Sequence, residues 1–175
     1  MKTVYMLFAT DVIHEGHINV VKEAKKYGKV IGGVLCDAAM IRFNRFPTVS
    51  FDERVRMVKD IPEVDEVIVQ NETLYENTLR KIKPDYVIHG DNWCEGPEKA
   101  IRDNAIRVMN ELGGEVIEVP YTRNENVKKI DDRIKDKLSM PEFRRKRLKQ
   151  LIEMTPIVKT IEAHSGLTGL IAEKT

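Results

Sequence analysis

The sequence predicts a doubly wound α/β fold: a five-stranded parallel sheet with helices on both faces and a helical extension at the C-terminal end. Two observations carry this expectation. Short apolar, β-branched runs recur along the chain, and each is followed by a stretch whose apolar residues repeat at helical spacing. Such alternation requires parallel pairing through right-handed crossovers. A third observation concerns function: the unusual polar groups gather where the expected strands end, which is where sheets of this kind bind ligands.

The elements follow in order. TVYMLFA (3–9) is the first strand, and 17–27 the first helix, with Ile18, Val21 and Ala24 opposed by Lys22, Lys25 and Lys26 and with Gly28 as its stop. KVIGGVLC (29–36) is the second strand. CDAAMIRFNRFP reads as a loop rich in charge and aromatics, carrying Arg42 and Arg45. Ser50 with Glu53 three residues on forms a capping box for a helix over 50–60. DEVIVQ (65–70) is the third strand, and the helix at 73–82 stops before Pro84. DYVIHG (85–90) is the fourth strand. A helix over 97–112 starts on Pro97 and ends at Gly113-Gly114, before the fifth strand GEVIEVP (114–120). MPEFRRKRLKQLIEM (140–154) reads as a basic helical linker.

At 175 residues, 42% hydrophobic and 33% charged, the chain suits one compact globular domain with a fragment of something else. A net charge of +1 offers no general field for nucleic acid or anionic membrane. The first residues run straight into a strand, so neither a leader nor a membrane span is expected. Cys36 and Cys94 lack metal or redox spacing, and reduced thiols in a cytoplasm are the expected state.

Three segments at strand ends carry the chemistry: DVIHEGH after the first strand, CDAAMIRFNRFP after the second and HGDNW (89–93) after the fourth. His14 and His17 lie one turn apart beside a helix N-terminus. Imidazoles there can donate to phosphate oxygens alongside free backbone N–H groups, and Gly16 lacks the Cβ that would hold a phosphate away. Two other readings stay open: a surface or capping pair, and a zinc site of His14, His17, His89 and Asp11, which has neither thiolates nor the i, i+4 spacing of zinc hydrolases. Arg54 fits a surface ion pair, Arg42 and Arg45 fit a solvated loop or phosphate binding, and Trp93 fits half-buried packing. Asp85 begins its strand, whereas Asp91 sits at the ligand end.

These residues carry a resemblance. DVIHEGHINVVKEAKKYGKVIGGVLCD resembles the opening of the cytidylyltransferase-like nucleotidyltransferases, with their H-x-G-H signature. SFDERVRMV is similar to their E-R helix, and PDYVIHGDNW to their strand-four motif ending in G-D-D-W. The wider match, over residues 3–130, resembles the cytidylyltransferases linked to phosphoenolpyruvate mutase in phosphonate biosynthesis. PIVKTIEAHSGLTGLIAEKT (156–175) resembles the start of the mutase barrel, so the chain is expected to be a piece of a bifunctional enzyme. The expected domains are 1–139 for the nucleotidyltransferase, 140–155 for a linker and 156–175 for the truncated barrel.

The resemblance implies a Rossmann-like nucleotidyltransferase that moves CMP from CTP to a small phosphonate such as 2-hydroxyethylphosphonate, in a cytoplasmic homodimer followed by a mutase domain. His14 and His17 would act on the phosphates as catalytic residues, with Mg²⁺ held by Asp11, which could instead orient the turn. Nucleotide binding would fall to Phe8, Ala9, Thr10, Asp11, Gly16, Arg45, Arg54, His89, Gly90, Asp91, Trp93, Tyr121, Thr122, Lys128 and Lys129, with Arg54 on the β- and γ-phosphates. Three departures stand out. Phe8-Ala9-Thr10-Asp11 keeps only the aspartate of the family's entry motif, Asn44 replaces a lysine, and RNENVKKI replaces the Ser/Thr-rich EGISST cradle. Two alternatives follow: a weak or inactive nucleotide-binding scaffold, or cytidylyl or adenylyl transfer to a phosphate such as glycerol 3-phosphate.

Overall fold

The computed structural model describes residues 1–43, 45–120, 129 and 141–154. Five strands, β1 (Thr3–Phe8), β2 (Lys29–Leu35), β3 (Glu66–Gln70), β4 (Tyr86–Gly90) and β5 (Glu115–Val119), form one parallel sheet in the order β3-β2-β1-β4-β5. Between them run α1 (Glu15–Lys25), α2 (Asp37–Arg42), α3 (Phe51–Lys59), α4 (Glu76–Ile82) and α5 (Lys99–Leu112), and α6 (Pro141–Met154) follows the sheet. Short 3₁₀ turns at Asp91–Trp93 and Gly96–Glu98 lead from β4 into α5. This is the expected doubly wound fold.

Alternation along β1 explains the layering. Val4, Met6 and Phe8 face α1 and α3 through Val20, Val21, Ala24 and Val58, while Tyr5 faces α4 and α5 through Leu79, Ala105, Val108 and Met109. Both faces of the central strands are therefore covered, which is why they read as continuous apolar runs. Each fully buried aliphatic or aromatic side chain contributes roughly 1.5–3 kcal/mol. Gly33 is required at its place in β2, because a Cβ there would lie 1.9 Å from the Tyr5 hydroxyl. That hydroxyl donates to Gln70 at 2.6 Å in the buried interior.

Ser50 caps α3 as expected, its hydroxyl accepting the Glu53 N–H at 3.3 Å. Two details differ from the sequence expectation. The segment after β2 is not wholly a loop, since Asp37–Arg42 is helical with Ala39, Met40 and Ile41 buried. The first helix starts at Glu15 rather than at 17, because His14 itself caps it. α6 meets the domain beside α2, where Gln150 donates to the Pro47 carbonyl at 3.3 Å.

Candidate active site

The strand order reverses between β1 and β4, and the carboxyl ends of these two strands open a cavity of about 460 Å³. Its walls bring together segments far apart in sequence: Ala9, Thr10, Asp11, His14, Gly16 and His17 after β1, and His89, Gly90 and Trp93 after β4. Arg45 joins them from the segment after α2.

His14 is the N-cap of α1, with its Nδ1 accepting the Gly16 N–H at 3.1 Å. His17 answers from the third helical position, its Nδ1 accepting the His14 N–H at 3.4 Å. The capping reading is thus correct in geometry, and the capped turn is also a wall of the cavity. An Nδ1 that accepts from the backbone carries no proton, so both rings are neutral with their proton on Nε2. Burial is the main cause that lowers the His17 pKa to about 3, and His14, His89 and Arg45 act in the same direction. A neutral N–H donor beside the positive end of a helix suits phosphate oxygens.

Phe8 does not line the cavity. It is buried beneath, with its ring stacked on His17 at 6.2 Å between centroids. Asp11 is turned toward the protein: Oδ2 accepts the Thr48 hydroxyl at 2.8 Å and the backbone N–H groups of Thr48 and Val49. Its buried Oδ1 has no hydrogen-bond partner among the described residues and lies 3.8 Å from Nε of Arg54. Magnesium on Asp11 is therefore a poor fit, because a guanidinium already faces the oxygen that would hold it. The zinc alternative fares no better, for no group of three or more His, Cys, Asp or Glu able to hold a metal occurs among the described residues.

Arg54, expected on the β- and γ-phosphates, is not among the residues that line the cavity. It is 2% exposed, donates to the Leu35 carbonyl at 2.7 Å and pairs with Asp37, so it braces the ends of β1 and β2 from below. Arg45 donates to the Ala9 carbonyl at 3.0 Å and pairs with Glu98 across the cavity.

At the β4 end, the His89 ring lies flat on Trp93, 3.9 Å between centroids and 8° between planes. Its Nδ1 lies 2.7 Å from the Gly90 carbonyl, which places the proton there and the lone pair on Nε2, the reverse of His14 and His17. Burial lowers the His89 pKa. Trp93 is buried and donates its indole N–H to Glu118 at 2.6 Å. Arg102 grips the same carboxylate at 2.7 and 2.9 Å and is the main cause holding it down at a pKa of about 2. Asp91 is exposed and does not line the cavity, and Lys129 is exposed. Tyr121, Thr122, Asn44 and Lys128 lie outside the described residues, as does 156–175.

Among the wall residues that escaped the sequence reading are Tyr75 before α4, Glu98 before α5, and Arg147 of α6, whose guanidinium sits 4.1 Å over the Phe46 ring. Within α6, Phe143, Arg147, Gln150 and Leu151 form the half-buried face, so an arginine at helical spacing among inward residues was the available signal.

The cytidylyltransferase-like family profile matches residues 10–146, which hold every described wall residue named after β1 and β4 except Ala9. The chain belongs to the cytidylyltransferase-like family. Its relatives include ethanolamine-phosphate cytidylyltransferase of Arabidopsis thaliana, 35% identical over 101 residues, covering 54% of this chain and 24% of that protein. The FAD synthase of Methanopyrus kandleri is 31% identical over 113 residues, covering 62% of this chain and 71% of that protein. The bifunctional protein HldE of Desulfatibacillum aliphaticivorans is 28% identical over 113 residues, or 63% of this chain. The chain thus spans about a quarter or less of two of these relatives, 24% and 22% of their lengths. Ethanolamine-phosphate cytidylyltransferase is a nucleotidyltransferase by name, and this is the enzyme class of the cytidylyltransferase-like domain here. The fold also matches the lipopolysaccharide core biosynthesis protein of Thermoplasma volcanium, with a TM-score of 0.57 and 24% identity over 71% of this chain and 99% of that one. Among the described residues, no helix is long and apolar enough to cross a membrane.

Proposed function

We propose that the cavity transfers CMP from CTP to a small phosphonate such as 2-hydroxyethylphosphonate. A phosphonate oxygen attacks the α-phosphorus, the bond to the β-bridging oxygen breaks, and pyrophosphate leaves. The observation that carries this reading is the pair of neutral imidazoles, His14 and His17, each with its proton on Nε2 at the first turn of α1. Donors held there stabilise charge as it moves onto the departing phosphates, without themselves taking a proton. The sequence resemblance around H-x-G-H and HGDNW supports CTP as donor.

Mg²⁺ enters this reading on the triphosphate, where it neutralises phosphate charge; Asp11 serves the turn instead. The same resemblance supports a homodimer in the cytoplasm, with a mutase-like neighbour on the side of residues 156–175 as source of the phosphonate. Nucleic acid and membrane have no part in it.

A second reading, transfer to a phosphate monoester, is favoured by the relative named for ethanolamine phosphate. Pyrophosphate release decides between them, using CTP or ATP with 2-hydroxyethylphosphonate, ethanolamine phosphate or glycerol 3-phosphate. Fastest release with CTP and the phosphonate is expected. Preference for a phosphate ester moves the acceptor class, and preference for ATP overturns the cytidylyl assignment. No release together with no nucleotide binding returns the domain to a scaffold.

A further inference from the structure

Tyr75 stands apart from the polar residues already described. Its hydroxyl is buried and finds no hydrogen-bond partner among the described residues, yet the residue lines the cavity. The ring cannot swing away to solve this. Tyr5 and Trp93 meet it edge-on, each at 5.9 Å between centroids, and the Tyr75 backbone N–H is tied to Asn104 at 3.1 Å. A phenylalanine would fill the same space without a polar atom to satisfy. An unpaired buried hydroxyl is unfavourable, so a fold that retains one at a cavity wall keeps it for a ligand.

The surroundings narrow the ligand chemistry. Burial raises the Tyr75 pKa, so the group is a neutral O–H throughout the working range. Glu98, another wall residue, is paired with Arg45, which leaves little net charge at this end to hold a phosphate. The aromatic faces of Trp93 and Tyr75 suit an uncharged, compact group.

We infer that Tyr75 is a ligand-binding residue whose hydroxyl hydrogen-bonds an uncharged oxygen, a hydroxyl or carbonyl, of the molecule in the cavity. The inference rests on the cavity being the substrate site proposed above. That oxygen belongs either to the nucleoside or to the acceptor.

Tyr75→Phe tests this because it removes one oxygen and no packing. Binding of cytidine, CTP, 2-hydroxyethylphosphonate and ethylphosphonate is followed by calorimetry and by the fluorescence of Trp93, the only tryptophan. Thermal stability is expected to stay level or rise, since an unsatisfied group is removed. If the oxygen is the nucleoside's, cytidine and CTP lose affinity together, about five- to tenfold. If it is the acceptor's, CTP binding holds while the preference of the wild type for hydroxyethyl- over ethylphosphonate disappears. Unchanged binding of all four probes with a lowered melting temperature would make the hydroxyl structural and overturn the inference, as would a wild type that binds none of them. A wild type that binds but releases no pyrophosphate sinks the transfer reaction alone and leaves Tyr75 to be judged on affinity.

Discussion

The N–H of His14 donates to Nδ1 of His17 at 3.4 Å, while the His14 ring caps the very turn that carries His17. Structure and proposed chemistry thus share the same two nitrogens, and a substitution can separate them. Asparagine is among the best N-caps but has no Nε2–H at imidazole reach. His14→Asn should keep the melting temperature within a degree or two of wild type and lower turnover about a hundredfold or more. His14→Ala should lose the cap as well, at about 1 kcal/mol. Denaturation curves and pyrophosphate release on both variants check this; full activity in His14→Asn would leave the ring with capping alone.

The cap also fixes a pH dependence. The folded pKa of His17 is about 3, against 6.5 for an ordinary histidine. Between these values the unfolded chain takes up a proton that the folded chain refuses. The stability tied to neutral His17 is therefore complete above 6.5 and drains as pH falls toward 3. His89, also lowered, adds in the same direction. Urea midpoints at pH 7.5 and 5.0 should fall on acidification, and His17→Gln should flatten the fall. Glu118, held at about 2, stays ionised in that window and does not confuse the reading.

Much of this was readable from the chain. All five strands and five of the helices stand within a few residues of expectation, because short β-branched runs alternate with helically spaced apolar stretches bounded by Gly, Pro and capping residues. α2 was hidden because it is only six residues long and its N-cap, Cys36, makes no side-chain capping bond. His14 as a cap was one of the open readings, but histidine is not among the preferred cap residues. The fate of Arg54 was not readable at all. Whether a first-turn arginine faces solvent or two strand ends depends on how α3 lies under the sheet, and that is tertiary. Tyr75 and Arg147 reach the cavity for the same reason, from elements distant in sequence.

Arg54 makes the third prediction. Removing a buried cation that faces Asp11 and Asp37 leaves two carboxylates without it, a loss of about 3–5 kcal/mol. Arg54→Ala should unfold at markedly lower denaturant, and Arg54→Lys should recover only part because it lacks the planar fork. A variant of wild-type stability that had lost only CTP affinity would restore the phosphate role.

Glu118 makes the fourth. Its carboxylate takes the buried Trp93 N–H and the Arg102 fork together. Glu118→Ala strands the indole N–H and should destabilise by about 1–3 kcal/mol. Glu118→Gln keeps an acceptor for the indole and should lose less. Because Trp93 is the only tryptophan and stacks on His89, its emission reports the change directly. Unaltered emission in Glu118→Ala would mean that the stack holds the indole without help.

Arg147 makes the last. α6 turns Phe143, Arg147, Gln150 and Leu151 toward the domain, and Arg147 is the charged member of that face. Over Phe46 its guanidinium gains a cation–π contact worth about 0.5–2 kcal/mol, and an arginine that only packs would need nothing more. Its place on the cavity wall adds a second consequence. Arg147 also lines the cavity from α6, so a phosphate bound there is expected to meet its positive charge. Arg147→Gln should weaken pyrophosphate binding about tenfold to a hundredfold, leave cytidine binding unchanged and lose its effect in high salt. Arg147→Lys should fall between, since it keeps the charge without the planar fork. Calorimetric titration of the three proteins with pyrophosphate and with cytidine checks the split. Equal pyrophosphate affinity in all three would leave Arg147 as a packing residue on Phe46, with the imidazole pair and the backbone of α1 alone at the phosphates.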